Sequence, residues 1–361
     1  MIIFNFVEIP ENIFLMRLLI FILSFLAFSI LAKAQDSGEY RIICVGFYNL
    51  ENLFDTINED GVTDEEFTPE GKNNWTPDKY LEKIDHMARA IHGIGLGEYT
   101  PDGAALLGVC ELENKSVLRD LANTDILKDR NYEFVHYDSP YYRGMDVALF
   151  YQPKYFRVLH SASHELHYPE IENFTTRAQL VVTGILDGDT VHVIVNHWPS
   201  RSGGQKKSEP LRIAAAQLTY SIADSLFNIY PNARIMIMGD LNDDPTDKSV
   251  RKELNATANP DKVAERGFYN PFLKLHEQGI GSLGYRDAWN LFDQILVSGS
   301  LANKDYTSYS FYSAKVFNEK FLTQQEGRFK GYPWRTYSYG AYIGGYSDHF
   351  PVYIYLLKRV K

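Results

Sequence analysis

Strand-length apolar runs alternate along the chain with stretches of helical spacing. Tyr40–Tyr48 reads as a strand that stops at the polar cluster Asn49-Leu50-Glu51-Asn52. Residues 55–77 are acidic and turn-rich, which predicts a loop. Between Pro77 and Ile94, apolar residues recur at Tyr80, Ile84, Met87, Ala88 and Ile91, the spacing of an amphipathic helix. Ala104–Cys110 is a second strand, ending at Glu111, and residues 114–122 are helix-like. Further strands are expected over Asp146–Tyr151, Ala178–Leu186, Val191–Asn196, Arg234–Met238, Asp293–Val297 and Pro351–Leu357, with a helix over Glu209–Phe227. Short turns such as Asp187-Gly188-Asp189 join some strands directly, so the pattern predicts mixed, mainly antiparallel sheets in an α/β (α+β) fold. No repeat or linker interrupts it, and one domain is expected over residues 38–361.

The N-terminus has a different pattern. Met16-Arg17 precedes an apolar run from Leu18 to Leu31, followed by Ala32-Lys33-Ala34 and a polar stretch. A basic start, a short apolar core and a small-x-small exit form a secretory signal peptide. Residues 1–34 are therefore read as that signal, cleaved after Ala34, with periplasmic or extracellular export expected. The run is shorter than the roughly 20 residues of a membrane span, although an uncleaved anchor is the alternative. Glu8 and Glu11 do not suit a signal's first segment, which favours Met16 as the true start. The two cysteines, Cys44 and Cys110, lie in apolar runs and read as buried thiols, with a disulfide as the alternative.

Composition narrows the function. Of the 361 residues, 45% are hydrophobic and 23% charged, which suits a folded domain. The net charge of −10 excludes a broad basic face for nucleic acid. It leaves a phosphate substrate open, because clustered carboxylates bind cations that supply positive charge locally.

Polar groups recur at strand tips: Asn49/Glu51, Glu111, Asn196/His197 and Asp240/Asn242. Acids gathered at one sheet edge form an oxygen-rich pocket suited to Mg²⁺, Mn²⁺ or Ca²⁺. Glu51 and Glu111 are candidate metal ligands. Asp240 can take a proton from water, and Asn242 can orient that water or the phosphate. His197 and His349 can donate to phosphoryl oxygens or act as acids, with Asp293 or Asp348 holding an imidazole in one tautomer.

Six segments carry a resemblance: Phe47-Tyr48-Asn49-Leu50-Glu51-Asn52, Gly108-Val109-Cys110-Glu111, Asn196-His197-Trp198, Gly239-Asp240-Leu241-Asn242, Phe292-Asp293-Gln294-Ile295-Leu296 and Tyr346-Ser347-Asp348-His349-Phe350-Pro351-Val352. Together, over residues 40–357, they resemble the endonuclease/exonuclease/phosphatase superfamily, the fold of DNase I-like nucleases, in its exported bacterial branch. The resemblance implies a four-layer α/β sandwich, two packed, mainly antiparallel β-sheets flanked by helices. It also implies that Asn49, Glu51 and Glu111 form the first metal-binding elements, with Asn49 near substrate, and that His197 is an acid or phosphate ligand. Asp240 and Asn242 match the pair that orients the nucleophile. Asp293 matches the acid before the late strand, and Asp348 and His349 the terminal pair, with Asp348 also a metal ligand. Arg143, in Tyr142-Arg143-Gly144-Met145-Asp146, can clamp a phosphate, and Asp146 either orients it or makes a structural ion pair. Arg201, in the glycine-rich loop after Trp198, is either a phosphate contact or a solvated loop residue. The aromatic segment from Tyr306 to Tyr346 packs a long loop or stacks on bases, packing being preferred.

The expected function is an exported, divalent-metal-dependent phosphoester hydrolase, foremost a phosphodiesterase or nuclease on DNA or RNA. The alternatives are a phosphatase or phosphodiesterase on a small molecule or phospholipid headgroup, and a non-catalytic binding protein on the same scaffold. No obligate protein partner is expected, and no integral membrane segment after signal cleavage.

Overall fold

A computed structural model describes residues 39–360. The expected signal peptide lies outside the described residues. In chain order the strands and helices are β1 (Tyr40–Leu53), α1 (Pro77–Gly93), β2 (Ala104–Leu112), α2 (Lys115–Ala122), β3 (Glu133–His136), β4 (Asp146–Tyr151), β5 (Phe156–His164), β6 (Gln179–Leu186), β7 (Asp189–His197), α3 (Gln205–Ile229) and β8 (Ile235–Asp240). They continue with β9 (Ala256–Thr257), β10 (Phe268–Tyr269), α4 (Phe272–Glu277), β11 (Leu283–Tyr285), β12 (Ala288–Asn290), β13 (Asp293–Ser298), α5 (Gly299–Ala302), β14 (Ser310–Val316), β15 (Tyr337–Ser338), β16 (Ala341–Tyr342) and β17 (Val352–Arg359).

One sheet has the order β14-β17-β1-β2-β4-β3, and a second has β5-β6-β7-β8-β13-β10-β9. Both are mixed: β1–β2 and β7–β8 run parallel, while β2–β4, β6–β7 and β8–β13 are antiparallel. Alternate residues of β1 serve two cores, as the period of two in a strand requires. Val45 and Phe47 enter the core between the sheets with Val193, Met236 and Ile295. Tyr48 and Leu50 enter the other, with Ile84, Met87 and Ile91 of α1 and Leu118 of α2. A third core joins Ile194 and Ile237 to Ala216, Ala223 and Phe227 of α3. Helices, sheet, sheet and helix therefore stack in four layers, as the resemblance implied. Residues Arg41–Lys358 form one compact unit, and among the described residues no helix is long and apolar enough to cross a membrane.

Caps set the helix starts. Pro77 occupies the first turn of α1 behind Thr76, and Asn114 Oδ1 accepts from Ser116 N at 2.7 Å and Val117 N at 3.2 Å at the start of α2. Helix α3 starts at Gln205, earlier than the apolar pattern indicated, because its first turn is polar and mostly exposed. Strands β5 and β14 have no counterpart in the sequence reading. Each is a sheet edge with many solvent-facing positions, so neither carries a continuous apolar run. The acidic loop after β1 is pinned from within: Phe54 stacks on Phe67 at 4.3 Å, and the Trp75 indole donates to the Phe54 carbonyl at 3.0 Å.

Both cysteines are free and buried. Cys44 belongs to the core beneath α1, and Cys110 to the core between the sheets, so the sheet itself separates them. Burial pushes both thiols up, which keeps them protonated. Native protein should react with a maleimide at neither position, unfolding should release two titratable thiols, and reductant should leave the melting temperature unchanged. The contrary outcome, no free thiol on unfolding, would require a disulfide and overturn the assignment.

Candidate active site

Sheet register builds the first row of the site. His197 at the end of β7 pairs with Asp240 at the end of β8, and Asp240 pairs in turn with Asp293 at the start of β13. Three functional side chains from distant parts of the chain thus stand on neighbouring strands. Gly239 permits this spacing, because a Cβ there would lie 2.4 Å from the Asn196 carbonyl oxygen.

The tips of β1 and β2 supply the facing row. Both strands lose regular pairing there: the register shifts between Asn49 and Leu53 and between Cys110 and Leu112. Such bulges re-aim side chains. Glu51 (φ 47°), Glu111 (φ 59°) and Asn242 (φ 50°) adopt left-handed backbone, each at a cost of about 1–3 kcal/mol that the surroundings must offset.

Asn49 ties the rows together. Its fully buried amide nitrogen donates to Glu111 Oε1 and to Asp240 Oδ2, each at 3.1 Å. Asp240 Oδ1 accepts from Asn242 N at 2.9 Å, and the Asn242 side chain donates to the Trp198 carbonyl at 3.0 Å. His197 Nε2 lies 3.7 Å from both Glu111 Oε1 and Asp240 Oδ2. Its Nδ1 is buried and has no hydrogen-bond partner among the described residues.

His349 completes the row through Asp293. His349 Nδ1 donates to Asp293 Oδ2 at 2.6 Å, leaving Nε2 3.9 Å from Asp240 Oδ2 and 4.0 Å from Asp348 Oδ1. Of the two acids expected to hold an imidazole, Asp293 does so. Ser282 Oγ donates to the same oxygen at 2.5 Å.

Burial and mutual charge set the protonation states. Burial pushes Asp240 up to about 7; the His349 cation pulls it down and Asp293 pushes it up. His349 itself lies well above the ordinary histidine value: burial opposes its charge, but Asp293 and Asp240 outweigh burial. His197 goes the other way. Burial, then the charges of Arg177, His349 and Arg143, hold it well below the ordinary value, so it is neutral. The two histidines thus present one cation and one neutral ring.

Glu51 stands slightly apart. Its Oε2 accepts from Thr336 N at 2.7 Å and Thr336 Oγ1 at 2.9 Å, and lies 3.8 Å from Lys83 Nζ. Burial, and then Asp348, push Glu51 up to about 7. Burial also lowers Lys83 to about 8, against the pull of Glu51, Asp348 and Glu111. Asp348 pairs with Arg335 at 3.0 Å. Among the described residues three trios have donor atoms within 4.8 Å of one another: His136–Asp138–Asp146 away from these strand tips, and Glu111–His197–Asp240 and Asp240–Asp293–His349 here. Of the three expected metal ligands, Glu111 joins a trio, while Glu51 pairs with Lys83 and Asp348 with Arg335.

Residues 44–358 match the description Endonuclease/Exonuclease/phosphatase family. The chain belongs to that family. No curated protein matches it. Among solved structures, a family protein from Bacteroides thetaiotaomicron is 16% identical, with a TM-score of 0.53, covering 90% of this chain and 98% of that one. A mannosyl-6-phosphatase from the same species is also 16% identical, with a TM-score of 0.52 and coverage of 87% and 99%. TDP2 from D. rerio, complexed with a single-strand DNA product, is 13% identical, with a TM-score of 0.51 and coverage of 87% and 98%. At these identities the likeness is one of fold, and within the family it is the residues of the site that must argue function.

The two expected arginine contacts part company with the cluster. Arg143 lies 3.7 Å from Glu66, and its charge still reaches His197. Its neighbour Asp146 accepts from His136 Nε2 at 2.8 Å and Ser139 N at 2.9 Å, a structural role. Arg201 is not a solvated loop residue, because four protein oxygens hold its guanidinium. Its Nε donates to the Asn242 carbonyl at 2.8 Å, its Nη2 reaches Asp247 at 2.8 Å, Asp244 at 3.2 Å and Asp243 at 3.3 Å, and its plane lies 4.4 Å over Phe292. The acids of Asp243-Asp244 and Asp247 hold it against the strand tip.

Lys83, Arg177, Ser282 and Thr336 were missed by the sequence reading. Lys83 left a trace, a lysine one position before Ile84 on the apolar stripe of α1. Arg177 donates to the Trp198 carbonyl at 2.6 Å and, like Ser282 and Thr336, carries no motif.

Arg201→Ala should lower stability by about 1–3 kcal/mol, the range for charged hydrogen bonds that lose a partner. It should reduce kcat by displacing Asn242 while leaving KM near the wild-type value. A raised KM at unchanged kcat and unchanged melting temperature would return Arg201 to the role of phosphate contact.

Proposed function

We propose that this chain is an exported, divalent-metal-dependent phosphodiesterase that acts on nucleic acid. The observation that carries the phosphoester part is the row His197–Asp240–Asp293, with His349 held by Asp293 and Glu111 held by Asn49. Family membership supports a phosphoester hydrolase in general. Export rests on the sequence of residues 16–34 alone.

Glu51, Glu111 and Asp348 offer carboxylate oxygens, the donor chemistry of Mg²⁺. A divalent cation among them would oppose the burial and the Asp348 repulsion that raise Glu51, and when bound it would offset phosphate charge and polarise the phosphoryl group. The chain's own groups do the rest. Asp240, titrating near 7, accepts a proton from the attacking water at neutral pH, and Asn49 and Asn242 fix its carboxylate. The His349 cation points Nε2 into the site and donates to a phosphoryl oxygen as negative charge develops there. His197, neutral, offers Nε2 as a second polar contact without adding charge. Asp293 orients His349 and keeps it protonated.

The nucleic-acid part takes support from D. rerio TDP2, a protein of the same fold complexed with a single-strand DNA product. A second reading, a phosphatase on a small molecule, has its counterpart in the B. thetaiotaomicron mannosyl-6-phosphatase. Product analysis separates them: the first yields nucleotides or oligonucleotides from DNA or RNA, the second yields inorganic phosphate from a monoester.

EDTA should abolish turnover, and Mg²⁺ or Mn²⁺ should restore it. Asp240→Asn and His349→Ala should each lower kcat by on the order of 10²–10⁴-fold, with circular dichroism unchanged. Metal-supplemented wild-type protein that cleaves no DNA, RNA, phosphodiester or phosphomonoester would sink the enzyme reading.

The pH profile tests the role of Asp293. His349 acts as a cation, so activity falls as pH rises through its raised value. Asp293→Asn removes a group that raises that value, and the alkaline limb should therefore move to lower pH. A limb that stays in place would assign it to another group.

A further inference from the structure

Two small hairpins stand beside the site. In one, β11 and β12 are joined by Arg286 and Asp287; in the other, β15 and β16 are joined by Tyr339 and Gly340. All four turn residues have positive φ, at 48°, 63°, 50° and 78° in that order. Two-residue turns of this kind favour Asn-Gly or Asp-Gly, because a larger side chain is strained in left-handed backbone. Arg286 and Tyr339 nevertheless hold the first turn positions. Tyr339 is 89% exposed, so core packing does not explain it.

Both residues line one cavity of about 270 Å³ that also touches Arg328, Phe329, Arg335 and Asp348. The last of these is a neighbour of His349 at the reacting end. The Phe329 ring lies 6.1 Å from that of Tyr339. Arg286 lies over Tyr285 at 5.2 Å and Arg328 over Phe329 at 5.8 Å. Neither arginine makes an ion pair among the described residues. A chain of net charge −10 thus concentrates arginines and exposed ring faces in one place against its phosphate site.

Ring faces stack on nucleobases whatever their sequence, and arginine adds both stacking and phosphate attraction. A phosphomonoester of a simple sugar would use hydrogen-bond donors here more than ring planes. We propose that this cavity receives the nucleobase of the nucleotide at the scissile phosphate, with Tyr339 and Phe329 as stacking surfaces and Arg286 and Arg328 as its cationic rim. The proposal rests on the phosphodiesterase reading for its link to turnover. The strain at the two hairpin tips is then the structural cost of presenting these side chains.

The test compares two esters with the same leaving group, thymidine 5′-(p-nitrophenyl) phosphate and methyl p-nitrophenyl phosphate. Wild-type enzyme with Mg²⁺ should prefer the thymidine ester in kcat/KM. Tyr339→Asn places a residue that suits the turn, so its melting temperature should hold or rise. The ratio of the two kcat/KM values should nonetheless fall by on the order of tenfold, and Arg328→Gln should lower it in the same direction. No wild-type preference, or a ratio unchanged in both variants, overturns the proposal.

Direct titration with deoxyadenosine 5′-monophosphate separates the two readings. If wild-type protein hydrolyses neither ester, the phosphodiesterase reading fails. Binding that weakens in Tyr339→Asn then still upholds the cavity, and binding that is absent or equal in the two proteins overturns it.

Discussion

Repulsion among Glu51, Glu111, Asp240, Asp293 and Asp348 is the constraint that the surrounding structure answers. A lone buried carboxylate costs several kcal/mol to charge, and neighbours of like sign add to that. Each acid is therefore given a partner from a different part of the chain. Asn49 serves Glu111 and Asp240, His349 serves Asp293, Arg335 serves Asp348, and Lys83 of α1 serves Glu51. The layered architecture is what brings these partners within reach: α1 contributes Lys83, β1 contributes Asn49, and the stretch before β17 contributes Arg335 and His349.

Regular secondary structure alone would not do this. The parallel pairs β1–β2 and β7–β8 bring strand tips to common edges, but a straight strand aims alternate side chains at opposite faces. The bulges at β1 and β2 and the left-handed conformations at Glu51, Glu111 and Asn242 turn the acids inward. The backbone is irregular where the chemistry is, and regular in the three cores that hold it in place.

Much of this was legible in the chain. Central strands buried on both faces announce themselves as apolar runs, so β1, β2, β4, β6, β7, β8, β13 and β17 were visible. Strands β5 and β14 were not, because an edge keeps one side wet and breaks the run. Asn49, Glu111, His197, Asp240, Asn242, Asp293, Asp348 and His349 were visible as polar residues at strand tips in a familiar order. The structure brings most of them into direct contact. Arg201 shows the limit: its loop reads as basic, yet its partners at Asp243, Asp244 and Asp247 lie more than forty positions away along the chain. Lys83 was hidden for the opposite reason, since a lysine within a helical repeat ordinarily reaches solvent. The aromatic segment after Tyr306 packs in part, as preferred, and in part faces a cavity. Trp334, Tyr337, Tyr342 and Tyr346 pack onto the core beneath α1, whereas Phe329, Tyr332 and Tyr339 line a cavity.

Lys83 gives the site a counter-ion that is covalently tethered. It lies fully buried on α1, hydrogen-bonded to Thr336 and to the Tyr346 carbonyl, so it does not exchange with the medium. Part of the neutralisation at Glu51 is thereby independent of which salts surround the protein and at what concentration. The helix layer carries this share of the charge balance as long as Lys83 is protonated, below a value that burial lowers to about 8.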